Sequence, residues 1–133
     1  MAWLLLSKGV MNKSVLIVDD EVAILQAFKK LIQRPGVTVD TAESIEETMS
    51  LLDRNDYNLV IADIRLSGVQ AEEGLEILDH VKTRSPDTMV IIVTAHGSPD
   101  IMKRAYFLGA DFYFEKPVSF KILNDAMKNL GIV

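Results

Sequence analysis

The stretch Tyr57-Asn58-Leu59-Val60-Ile61-Ala62-Asp63 constrains the fold of this chain more than any other. A short apolar run rich in β-branched residues reads as a strand buried on both faces, as in a parallel sheet. It ends in a lone carboxylate, which is costly to bury and so belongs at the rim of the sheet, where ligands collect. Three other runs end on polar groups. Val15-Leu16-Ile17-Val18 runs into Asp19-Asp20-Glu21, Met89-Val90-Ile91-Ile92-Val93 into Thr94, and Phe112-Tyr113-Phe114 through Glu115 into Lys116-Pro117. An acid pair, a single acid, a hydroxyl and an amine then share one edge.

Helical patterns separate these runs. In 21–33, Ile24, Leu25, Phe28, Leu31 and Ile32 recur at helical spacing and form one apolar face. Arg34-Pro35-Gly36 stops that helix, with the glycine supplying the cap. Residues 37–42 alternate and read as a strand near an edge. Ser44 caps the next helix and Glu47 completes a capping box, with Ile45, Met49 and Leu52 facing inward until Asn55-Asp56 breaks the pattern. A loop over 64–71 leads to a third helix through Gly74, Leu75, Leu78 and Val81 to Arg84, ended by Ser85-Pro86-Asp87. Ser98-Pro99-Asp100 caps a fourth helix with proline in its first turn; that helix uses Ile101, Ala105 and Leu108 and closes at Gly109. A fifth strand covers 111–114, and a last helix over 117–130 buries Ile122, Leu123, Ala126 and Met127. Strand and helix alternate five times, which specifies an α/β domain: a doubly wound, five-stranded parallel sheet with five helices on its two faces.

With 133 residues, 49% of them hydrophobic, one domain can bury a sizeable core. The net charge of -5 argues against direct nucleic-acid binding, which wants a basic stripe. The chain has no cysteine, so disulfides and thiolate metal sites are excluded, and nothing points to an oxidising compartment. The opening Met1-Ala2-Trp3-Leu4-Leu5-Leu6 is interrupted by Lys8-Gly9, too soon for a membrane span or a secretory core. Residues 1–12 therefore read as an extension, either an expression remnant or the lead-in to an alternative start at Met11, and 13–133 as the domain. A cytoplasmic protein with no membrane attachment is the expectation.

If strands one and three are neighbours, Asp19, Asp20 and Asp63 converge, and their mutual repulsion calls for a cation among them. Oxygen-only ligands select Mg²⁺ or Mn²⁺ over zinc. A carboxylate is also a competent nucleophile toward phosphorus, giving an acyl phosphate. That reaction needs charge stabilisation on the phosphoryl oxygens, for which Thr94 and Lys116 are the right types.

The pieces Val18-Asp19-Asp20-Glu21, Val60-Ile61-Ala62-Asp63, Val93-Thr94-Ala95, Gly109-Ala110-Asp111-Phe112-Tyr113 and Glu115-Lys116-Pro117 resemble the receiver domain of bacterial two-component response regulators. The resemblance runs from Lys13 onward and implies a flavodoxin-like strand order, 2-1-3-4-5. It makes Asp63 the phosphoacceptor, fed by the phosphohistidine of a sensor histidine kinase or a phosphotransfer protein. It makes Asp20 a direct Mg²⁺ ligand, Asp19 a ligand largely through water, and the backbone carbonyl of Arg65 a further one. Thr94 and Lys116 would hold the phosphoryl oxygens, and the Lys116–Pro117 bond would be cis. Thr94 and Tyr113 match the family's switch pair, in which phosphorylation draws the hydroxyl inward and lets the ring turn in. The readout face is then the fourth helix, fifth strand and fifth helix, with Lys103, Arg104 and Tyr106, open to a downstream protein target or a second copy of the chain. Such a domain catalyses only its own phosphorylation and dephosphorylation.

Two departures stand out. Ser67 replaces the family's usual proline, and the matching glycine is Gly74, so 69–73 holds about three extra residues. Arg65 and His96 occupy positions that in the family tune phosphoryl lifetime.

Blander roles are available to the same residues. Asp63 can cap a loop, 19–21 can serve as an acidic first turn, and Lys116 can be a solvated lysine. Tyr113 can be static core, and His80 and His96 polar surface. Among competing functions, a haloacid dehalogenase-type phosphatase uses a similar set but wants a second Asp where Arg65 stands, and it has a cap domain. A degenerate receiver would have lost an acid or the lysine, and flavin binding would need a phosphate loop. A phosphoacceptor switch without an output domain is the expectation, since the chain ends after the fifth helix.

Overall fold

The computed structural model describes residues 12–66 and 72–133. In chain order the elements are β1 (Lys13–Val18), α1 (Val22–Ile32), β2 (Val37–Ala42), α2 (Ile45–Arg54), β3 (Leu59–Ala62), α3 (Glu73–Arg84), β4 (Met89–Thr94), α4 (Pro99–Phe107), β5 (Phe112–Glu115) and α5 (Phe120–Asn129). The strands form one parallel sheet in the order β2-β1-β3-β4-β5. The expected doubly wound fold is therefore the observed one.

Strand side chains alternate between two cores. Leu16, Val18, Val60, Ala62, Val90 and Ile92 pack with Leu75, Leu78 and Val81 of α3 and Ala105 of α4. Val15, Ile17, Leu59, Ile61, Ile91 and Val93 pack with Leu25 and Ile32 of α1 and Leu123, Ala126 and Met127 of α5. β3 is buried at every position, which explains its unbroken apolar sequence.

Several local expectations shift. Leu31 and Ile122 are 47% and 49% exposed, not core. In α1 the inward stripe runs through residues 25, 28 and 32, and in α5 through 123, 126, 127 and 130, so both side chains fall on the flank. α5 begins at Phe120 because Ser119 is its cap, accepting from the N–H of Ile122. Gly36 does not cap α1, which ends at Gln33 in extended backbone; it turns the chain between Arg34 and Val37, with φ of 85°. Ser44 accepts from the N–H of Glu47 as expected, but the Glu47 carboxylate reaches the N–H of Glu43 rather than that of the cap residue. β3 is shorter than the apolar run, starting at Leu59, and Tyr57 is buried below it with its hydroxyl on Asp40. At the end of α4, Gly109 takes φ of 107°, and the N–H of Ala110 closes on the carbonyl of Ala105.

Ser67 and most of the expected insertion fall in 67–71, outside the described residues. Among the described residues no helix is long and apolar enough to cross a membrane.

Candidate functional site

Sheet register brings four chain segments to one edge. Asp19 and Asp63 are the first residues past β1 and β3; the N–H of Asp63 donates to the Val18 carbonyl at 3.0 Å, and that of Asp19 to Ala42 at 3.1 Å. Thr94 ends β4, and the N–H of Lys116 donates to its carbonyl at 2.9 Å, just after β5. The Lys116–Pro117 peptide bond is cis.

The Lys116 ammonium is the centre of this edge. Its Nζ donates to Oδ2 of Asp19 at 2.6 Å and to Oδ2 of Asp63 at 3.0 Å, with Oε1 of Glu21 at 3.9 Å. Both Asp side chains are buried and the lysine nearly so. Burial alone would push the lysine pKa down, but the hydrogen bonds and charges of Asp19 and Asp63 outweigh it and hold the amine above its ordinary value. The other oxygen of Asp19 accepts from the N–H of Glu21 at 2.9 Å, and that of Asp63 from the N–H of Arg65 at a long 3.4 Å.

Three carboxylates thus gather around one amine. Asp19, Asp20 and Glu21 each offer an oxygen within 4.8 Å of the others, Asp19 from a buried position and the other two from exposed ones. The donors are all carboxylate oxygens, so the set suits a hard divalent cation better than zinc. Asp63 joins this trio through Lys116. Glu21 was legible in the sequence at the end of the first strand and in the receiver-like motif, but no ligand role was read for it. Its place two residues after Asp19 was the available signal.

Thr94 is fully buried, and its Oγ1 accepts from the N–H of His96 at 3.1 Å, so the hydroxyl proton is left to donate elsewhere. His96 is exposed and Arg65 half-buried. Gly74 serves the site by being small. A Cβ there would sit 2.1 Å from the Asp63 carbonyl oxygen, and its N–H donates to Ile64 at 2.9 Å, so α3 presses directly on the backbone carrying Asp63. Glu73 holds the other described end of the loop through the N–H of Leu66 at 3.1 Å.

Tyr113 lies beside the site with its hydroxyl buried, and among the described residues that hydroxyl has no hydrogen-bond partner. Its ring is 6.4 Å from that of Tyr106. Burial first, and then the charge of Glu115, raise its pKa; the Ser98 backbone pulls the other way without meeting hydrogen-bond geometry. Lys103, Arg104 and Tyr106 are exposed on α4, where Arg104 pairs with Glu72 at 3.0 Å. The lone histidine of α3, His80, is half-buried rather than fully solvated.

A family model described as "Response regulator receiver domain" matches residues 15–128. Among curated relatives, the alginate biosynthesis transcriptional regulatory protein AlgB of Pseudomonas aeruginosa is 37% identical over 79% of this chain, which spans only 23% of that protein. Sporulation initiation phosphotransferase F of Bacillus subtilis is 30% identical over 89% of the chain and 93% of its own length. Among solved structures, the response regulator TrrA of Thermotoga maritima in complex with Mg²⁺-BeF superposes with a TM-score of 0.75 at 33% identity, covering 89% of this chain and 98% of that one.

Proposed function

The chain belongs to the response regulator receiver domain family, the signalling domain of two-component systems, and from that premise we propose that Asp63 is its phosphoacceptor. The donor would be a phosphohistidine on a sensor histidine kinase or a phosphotransfer protein. An oxygen of the Asp63 carboxylate bonds to phosphorus as the P–N bond breaks. The electron pair leaves on the imidazole nitrogen, which regains a proton from solvent, and Asp63 becomes an acyl phosphate.

The bridging position of Lys116 between Asp19 and Asp63 carries this reading. It aims the Asp63 carboxylate and puts a buried positive charge where phosphoryl oxygens would arrive, within reach of the Thr94 hydroxyl. Asp19, Asp20 and Asp63, with the carbonyl of Arg65, would hold Mg²⁺ or Mn²⁺, which when bound supplies further positive charge against those oxygens. The Mg²⁺-BeF complex of TrrA supports that choice of ion. Arg65 and His96 flank the acceptor and would set how readily water reaches the acyl phosphate.

In this reading the phosphoryl group draws the Thr94 hydroxyl toward it, and the ring of Tyr113 responds. The α4–β5–α5 face then presents the change to a downstream protein or a second copy of the chain. The functional unit is residues 13–133, acting in the cytoplasm, with 1–12 an extension.

Incubation with acetyl phosphate and Mg²⁺ should yield one acid-labile phosphoryl group. The label should vanish in Asp63→Asn and with a chelator, and persist in Asp53→Asn and Asp56→Asn. Labelling of the Asp63→Asn protein at wild-type level would rule the assignment out, and steady turnover of phosphomonoesters would favour a phosphatase.

A further inference from the structure

Gly97 stands three residues past Thr94 in the β4–α4 connection, a position that no motif or spacing singles out. Its φ is outside the left-handed region, so the backbone does not require glycine there. Space does. A Cβ at this position would lie 1.9 Å from the Tyr113 hydroxyl oxygen, 2.9 Å from Oε2 of Glu115 and 3.1 Å from the Tyr113 Cζ. No backbone atom is among these contacts. The hydroxyl therefore occupies the volume a side chain at residue 97 would fill, and it is buried there without a hydrogen-bond partner among the described residues.

A buried hydroxyl with no partner is held by packing rather than by bonding, at a penalty. Both clashing groups are the far ends of flexible side chains, so a methyl group at residue 97 would be relieved by swinging them away. Little stability would be lost. The position of the ring would change instead.

We infer that Gly97 is a positioning residue for the switch: the missing side chain is the slot that admits the Tyr113 hydroxyl, and filling it holds the ring out toward solvent. The regulatory part rests on the reading of Tyr113 as the switch; the packing part does not. With the slot filled, Asp63 should still accept its phosphoryl group, because Lys116, Asp19 and Asp63 make no contact with residue 97 in the hydrogen-bond network described. The α4–β5–α5 face would no longer register the event.

The test uses the full chain as wild type, Gly97→Ala, and Gly97→Ala combined with Tyr113→Phe, followed by NMR. In wild type the ring protons of Tyr113 should show Overhauser contacts to the α-protons of Gly97 and little broadening by a soluble paramagnetic probe. In Gly97→Ala the contact to residue 97 should be lost and broadening should rise, with Asp63 labelling by acetyl phosphate retained. Removing the phenolic oxygen leaves only the 3.1 Å contact at the ring carbon, so the double variant should bring the ring back to residue 97. An alanine variant whose ring stays in place overturns the inference. If Gly97→Ala fails to fold, recovery of the fold by the double variant supports the slot, and failure to recover overturns it. Wild-type ring resonances that do not move on phosphorylation, in a sample labelled at Asp63, overturn the switch reading and the regulatory part alone.

Discussion

At the carboxyl edge of the sheet, Asp19, Asp63 and Glu21 share the amine of Lys116, and Asp20 stands beside Asp19 and Glu21. Along the opposite edge the polar groups pair off. The Tyr57 hydroxyl donates to Asp40 at 2.6 Å, the Thr88 hydroxyl to the Tyr57 carbonyl at 2.7 Å, and Lys82 to the Thr88 carbonyl at 2.8 Å. Lys82 also meets Asp111 at 3.0 Å, and that carboxylate accepts from the N–H of Val90 at 2.8 Å. Both networks tie several strands together, and both bury charge. At the second edge the part-buried charges, Lys82 and Asp111, cancel, and the remaining carboxylate, Asp40, is exposed to solvent. A network that satisfies itself has structure as a sufficient explanation, whereas surplus negative charge held in place by burial marks where a cation and an anionic group would be bound.

Perturbing each edge should separate the two kinds of network. Replacing Lys116 with Met leaves two buried carboxylates facing each other and should lower stability by about 3 kcal/mol without divalent ions, read by chemical denaturation. A loss below about 1 kcal/mol would mean that the acids are not the strained pair described.

Mg²⁺ should stabilise the wild type by about 2.7 kcal/mol at about a hundred times its Kd, and the Asp20→Asn variant far less at the same concentration. Tyr57→Phe should keep the full Mg²⁺ response, because the carboxylate it touches, Asp40, is exposed and lies away from the Asp19–Asp20–Glu21 cluster. Its own effect should be about 1 kcal/mol, from the hydroxyl lost to Asp40, with labelling at Asp63 unchanged.

Alkaline pH probes both edges at once. Tyr57 is raised well above its ordinary 10.0, by burial first and then by Asp40, and Lys116 lies above its ordinary 10.5. Each binds its proton more tightly folded than unfolded. The stability each contributes is complete below the ordinary value and drains away as pH rises through the folded one. Denaturation midpoints measured from pH 9 upward should therefore fall, and Tyr57→Phe and Lys116→Met should each remove part of the slope. The smallest effect belongs to Arg104→Ala, whose pair with Glu72 is open to solvent at both ends; less than about 0.5 kcal/mol is expected.

The sequence made the strand ends legible because burial on both faces leaves a strand no room for polar residues until it stops, so each terminating acid, hydroxyl or amine stood out. The alternation of strand and helix then implied a parallel, doubly wound sheet, and the resemblance to the receiver family supplied its strand order. What stayed hidden depends on side-chain direction or on distances across the fold. Leu31 and Ile122 carry the right hydrophobicity one residue away from their helix stripes, which composition within a turn cannot resolve. Glu21 required knowing how the chain bends after Asp19. Gly74 was visible only as a spacing, and its press against the Asp63 carbonyl had to be seen in three dimensions. Gly97 gave no signal, since its importance lies in an atom contributed from β5.

Borohydride reduction of the phosphorylated protein, followed by peptide mass mapping, tests the central claim most directly, because an acyl phosphate on aspartate is converted to homoserine at the residue that carried it. The account predicts homoserine at position 63 and nowhere else. Homoserine at residue 19, 20, 53 or 56, or a phosphoryl group that resists the reduction, would contradict it.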